Sequence, residues 1–128
     1  MRTFLFAIGL IVLLGSCTDS TCDDEDFNLI GRWQLIEFCF SPGNASCPIQ
    51  TPEEIEIMEF KGDSTYTYSI GAQSSAGTFT VVENRVLFIN SNENPDITDR
   101  FLIPLNSCRL ELNPLCSEEC RAVFEKID

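Results

Sequence analysis

Seven cysteines and no histidine define the chemistry open to this chain of 128 residues. Histidine is the commonest general base and the commonest metal ligand, so its absence weakens both roles together. The thiols are unevenly spaced. Cys17 and Cys22 lie near the start, Cys39 and Cys47 flank one short segment, Cys108 stands alone, and Cys116-x₃-Cys120 comes near the end. A Cys-x₃-Cys spacing without histidine is a poor zinc site, and so many thiols in a short chain point to an oxidising compartment and disulfides. The carboxylates that alternate along one segment, Glu54, Glu56 and Glu59, are expected in solvent. No Ser, Thr or Cys has a partner base in view. No catalytic residue, metal or cofactor is therefore expected, and the chain does not read as an enzyme.

Cys17 differs from the other thiols in what precedes it. Arg2 gives a short positive start, and Phe4 to Leu14 follow as eleven residues without charge. That matches the core of a signal peptide, whereas a transmembrane helix needs about 20 apolar residues. Leu14-Gly15-Ser16-Cys17 then resembles the site at which bacterial lipoprotein signal peptides are cut. Small residues let the backbone enter the peptidase, and the thiol accepts diacylglycerol. Residues 1–16 are expected to be a lipoprotein signal peptide and Cys17 the lipid attachment. The alternative is ordinary cleavage near Ser16 with Cys17 left as a thiol. Each buried CH₂ of an acyl chain such as palmitate contributes about 0.8 kcal/mol, so two or more chains anchor a protein to a membrane without further contact.

Residues 17–27 continue with Asp19 and the run Asp23, Asp24, Glu25, Asp26. Such a segment reads as a solvated tether. An acidic run directly behind the lipid cysteine also resembles the surface-export signal of Bacteroidetes lipoproteins, and the two readings are compatible. The expected location is the cell envelope, lipid-anchored, at the outer membrane and with surface exposure open. The whole chain carries a formal charge of −12, and Arg2 is the one charged residue before Cys17, so removing the leader makes the remainder more negative still. That balance argues against nucleic acid and against a polybasic membrane patch.

With Cys17 acylated, six thiols remain, an even number suited to disulfides. Cys116 and Cys120 are the first candidate pair. Four residues of extended chain span about 13 Å, while bridged Cα atoms sit about 5.5 Å apart, so this pairing requires a turn at residues 117–119. Cys39 and Cys47 bracket the loop SPGNAS and come next. Cys22 with Cys108 follows by elimination only, and several connectivities stay open.

The elements that position these residues read as strands. No useful helical periodicity is found; short alternating runs between turn residues dominate residues 28–128. Leu29 to Phe40 is apolar on both faces and is expected to be covered on both sides. In Glu53 to Phe60, Ile55 and Ile57 share one face and Met58 and Phe60 the other, which predicts a bulge or bend. Lys61 to Ser64 is a turn into Thr65 to Ile70, where Tyr66, Tyr68 and Ile70 alternate with Thr65, Thr67 and Ser69. GAQSSAG reads as a loop. Gly77 to Val82 pairs through Glu83-Asn84 with Arg85 to Asn90. Asp96 to Pro104 is expected to end at its proline. Cys108 to Asn113 and Arg121 to Ile127 complete eight strands. Short connections imply antiparallel up-and-down order, and eight such strands close into a barrel, which removes exposed edges.

The order of several motifs resembles the small lipocalin-like domains of Bacteroidetes lipoproteins, from about Leu29 to the end. These are Gly31-x-Trp33-x-Leu35; Glu59-Phe60 before the turn at Gly62 and Asp63 and the strand Thr65 to Tyr68; Gly77-Thr78-Phe79-x-Val81; and Cys116-x₃-Cys120 before Phe124 and Lys126. The chain lacks the C-terminal helix and the second and third motifs of full lipocalins. The resemblance implies an all-β, eight-stranded barrel in which Trp33 packs at the closed end under a basic side chain of the last strand, Lys126 or Arg121, in a cation–π contact.

It also implies two functions. In the first, a lipid-anchored envelope protein holds a small hydrophobic ligand inside its barrel, lined by aromatic residues drawn from Phe38, Phe60, Tyr66, Tyr68, Phe79, Phe88, Phe101 and Phe124. In the second, the barrel is filled by its own side chains. Loops such as 41–52 and 91–96 then meet a protein or glycan partner, as in protease-inhibitor relatives of the superfamily. Interior volume separates the two.

Overall fold

The computed structural model describes residues 27–41, 47–90, 97–114 and 120–128. The expected signal peptide, the lipid cysteine Cys17, and Cys22 and Cys116 lie outside the described residues.

Period-two alternation governs the architecture. Eight strands run in chain order: β1 (Gly31–Phe40), β2 (Glu56–Phe60), β3 (Thr65–Ile70), β4 (Gln73–Val82), β5 (Arg85–Asn90), β6 (Ile97–Asn106), β7 (Arg109–Pro114) and β8 (Cys120–Lys126). Each pairs antiparallel with its chain neighbours, and β8 returns to β1, closing the barrel. Closure gives each of the eight strands a neighbour on both sides. The predicted all-β, eight-stranded up-and-down barrel is the fold observed.

Inward phase can be followed strand by strand through the core: Trp33 and Leu35, Met58 and Phe60, Tyr66, Phe79, Val86 and Phe88, Leu102, Leu110 and Leu112, and Phe124. Trp33, Phe60, Val86, Leu110 and Leu112 are the most deeply buried of them. Phe60 meets Phe79 edge-on at 4.9 Å between ring centres and Phe88 at 5.9 Å, and Tyr66 meets Phe88 edge-on at 5.0 Å. Such pairs contribute about 0.5–1.5 kcal/mol each beyond the apolar area they bury.

Several strand expectations are corrected. The phase change in the second run is met by a bend at Glu53 and Glu54, ahead of β2, while an unexpected bulge lies in β1, where the register against β8 shifts between Leu35 and Glu37. One extra residue there flips the inward phase from Trp33 and Leu35 to Phe38, which accounts for apolar residues at both phases of β1. β2 is regular from Glu56 onward, so Glu56 shares the inward phase of Met58 and Phe60. Gln73 to Ala76 are strand, paired residue by residue with Thr67 to Ile70. β6 runs past Pro104 to Asn106, and its register shifts where proline offers no N–H to the ladder.

Candidate functional site

At the filled end the chain start and chain end close the barrel together. Trp33 is fully buried, its indole N–H donates to the Leu29 carbonyl at 2.8 Å, and Phe27 packs on it at 5.9 Å. Phe27, expected in the tether, thus belongs to the barrel base. Lys126 pairs with Trp33 across β1 and β8; its Nζ sits 5.2 Å from the ring centre and donates to the Asn28 carbonyl at 3.0 Å. Lys126 therefore fills the basic role, and Arg121 does not. Arg121 pairs with Cys39 on the same ladder and reaches Glu111 at 2.8 Å on the outer face.

Gly31 shows why the Gly-x-Trp opening needs glycine. Its φ is +131°, a region that favours glycine, and a Cβ there would lie 2.5 Å from the Asp128 carbonyl oxygen and 2.8 Å from Lys126 Cε. The closed end is thus a packing site for Gly31, Trp33 and Lys126.

The other half of the lumen is open. A cavity of about 390 Å³ lies above the aromatic layer. Its apolar wall includes Leu35, Phe38, Met58, Phe88, Leu112 and Phe124, with Tyr66 below. Five polar side chains join them: Glu56, Tyr68, Ser75, Thr98 and Arg100. The small residues of β4 make this space. Gly77 pairs with Tyr66, whose ring lies over the position that a Cβ would fill, and Ser75 pairs with Tyr68.

Of the eight aromatics expected as ligand-lining, Phe38, Tyr66, Tyr68, Phe88 and Phe124 line this cavity. Phe60 and Phe79 are buried in the layer beneath it. Phe101 faces outward, under the guanidinium of Arg85 at 5.4 Å, because β6 turns Thr98, Arg100 and Leu102 inward and Phe101 out.

Of the polar set, Tyr68 was legible from sequence, and Glu56, Ser75, Thr98 and Arg100 were not. Glu56, expected in solvent, is half-buried and accepts a hydrogen bond on Oε2 from the Tyr68 hydroxyl. Burial, then the hydrogen bond from Tyr68 to Glu56 and the charge of that carboxylate, push the Tyr68 phenol well above its ordinary value; Arg100 opposes them. Burial also raises the Tyr66 phenol. Arg100 has no signature of its own, since an arginine that follows Thr98 and Asp99 reads as surface.

The thiols sit apart from the cavity wall. Cys39 and Cys47 form the expected disulfide, with Cα atoms 5.4 Å apart. Cys108 and Cys120 each take part in a disulfide as well. Among the described residues no group of three or more Cys, Asp or Glu could hold a metal ion.

Five polar side chains around an apolar well can seat an amphipathic molecule and offer it both donors and an acceptor. No protein-family model matches the chain, and neither a curated protein nor a solved structure is significantly similar to it.

Proposed function

We propose that this chain is a lipid-anchored envelope protein of the lipocalin-like kind, whose barrel carries a small amphipathic ligand in its lumen. The carrying observation is the cavity of about 390 Å³ between the aromatic layer and the open end. Ligand pockets commonly measure about 300–1,000 Å³ and combine apolar walls with a few placed polar groups. The anchor rests on the leader and on Cys17, the envelope location on the same residues and on the disulfides.

A barrel serving as a partner-binding module, with nothing inside, is the weaker reading, because side chains fill its closed half and leave the other half open. Native mass spectrometry of the protein purified from its own host tests the choice. A bound small molecule lost on Phe88→Trp, which fills the lumen, supports the carrier; protein that is always empty, and takes up no amphiphile when offered one, refutes it. Cys17→Ser tests the anchor. The variant is expected in the soluble fraction, and retention on membranes after a high-salt wash would refute acylation.

A further inference from the structure

Glu56 and Arg100 oppose each other across the lumen. Glu56 lies on β2 and Arg100 on β6, four strands away in either direction around the closed ring of eight. Both line the same cavity. Their situations differ. One oxygen of Glu56 is engaged by the Tyr68 hydroxyl. Among the described residues no carboxylate lies within ion-pair distance of the Arg100 guanidinium, whereas Arg85, Arg109 and Arg121 each pair with one on the outer face.

A guanidinium cannot shed its charge and presents five donors in a planar fork. Facing a half-buried lumen of Phe88, Leu112, Met58 and Phe124, it is best satisfied by an anion, which it binds in bidentate fashion. Thr98, two residues away on the same strand and lining the same cavity, adds a hydroxyl beside it. The Glu56 charge on the opposite wall repels a second negative group. It therefore directs a single anionic head toward β6 and leaves the tail to the aromatic layer.

We propose that Arg100 anchors the head group of the lumen ligand, and that this ligand is a single-chain amphiphile bearing one anionic group of the carboxylate class. The inference rests on the carrier reading given above. It predicts selectivity by head group at constant tail.

Isothermal titration of the intact barrel with decanoate, decanol and decyltrimethylammonium tests it. Decanoate is expected to bind about tenfold or more tighter than decanol, the difference typical of a charge-assisted over a neutral hydrogen bond. The cationic probe is expected to bind weakest. Arg100→Gln should abolish the preference for decanoate while keeping decanol binding, Arg100→Lys should keep part of it, and Glu56→Gln should strengthen decanoate binding a few-fold. Equal affinity for decanoate and decanol, a preference for the cation, or a preference unchanged in Arg100→Gln overturns the anchor while leaving the carrier intact. Binding of none of the three removes the carrier reading itself. Should Arg100→Gln fail to fold, the three-probe ranking on the unaltered protein still decides.

Discussion

The ammonium of Lys126 lies 5.2 Å from the centre of the Trp33 ring, and the indole N–H beneath it is bonded to the Leu29 carbonyl. One aromatic side chain thus ties the first strand, the last strand and the segment before the barrel into a single closed end. Removing the ring should leave a large void where relaxation is hard, because Gly31 and Asp128 are already in close approach there. Trp33→Ala is expected to lower stability by about 3–5 kcal/mol. Lys126→Met keeps the packing stem and loses the charge, and is expected to lower it by about 1 kcal/mol. Denaturant midpoints of the two variants check both figures. Equal midpoints for Trp33→Ala and the parent would place the ring outside the core.

Strand phase is what the sequence carries openly. Tyr66 and Tyr68 alternate cleanly with threonines, so the β3 hairpin is readable residue by residue. Trp33 and Leu35 announce an inward phase in the same way. The phase switch in β1 is not readable, because one extra residue after Leu35 looks like an apolar strand covered on both faces. Residues 73–76 look like loop because Gln, Ser and Ala carry no strand preference. They are strand because β3 needs a backbone partner along its whole length. Glu56 and Arg100 were hidden for a different reason. A charged residue at an inward phase reads as surface until closure of the barrel makes that face a lumen.

Tyr68 links the lumen to alkaline stability. Burial and the bond to Glu56 keep its phenol protonated beyond the ordinary tyrosine value of 10.0, and burial does the same for Tyr66. Above pH 10 the unfolded chain would release these protons while the folded chain holds them, so the folded state binds more protons there. Stability from both groups is therefore complete below the ordinary value and falls as pH rises through the folded values. Tyr68→Phe should flatten that decline, and Tyr66→Phe should do so less. Chemical denaturation at a series of alkaline pH values, with tyrosinate absorbance followed in parallel, measures it. An alkaline slope unchanged in Tyr68→Phe would mean that the phenol titrates as if in water.

Gly77 is the position where strand β4 has no room for a side chain. A Cβ placed there would sit 2.0 Å from the Ile89 carbonyl oxygen on β5 and 2.9 Å from Cε1 of Tyr66 on β3. The first neighbour is ladder backbone and the second is a ring packed edge-on against Phe88, so neither can retreat without moving the aromatic layer. Glycine normally weakens a strand interior, yet here the Tyr66 ring covers the exposed backbone and replaces the missing packing. Gly77→Ala is therefore expected to destabilise by about 1–3 kcal/mol, the range for overpacking a filled core. Ser75→Ala, on the same strand and facing the open cavity, should change stability by less than about 0.5 kcal/mol. If thermal unfolding ranks the two variants the other way, the boundary between the filled layer and the open lumen has been drawn at the wrong level of the barrel.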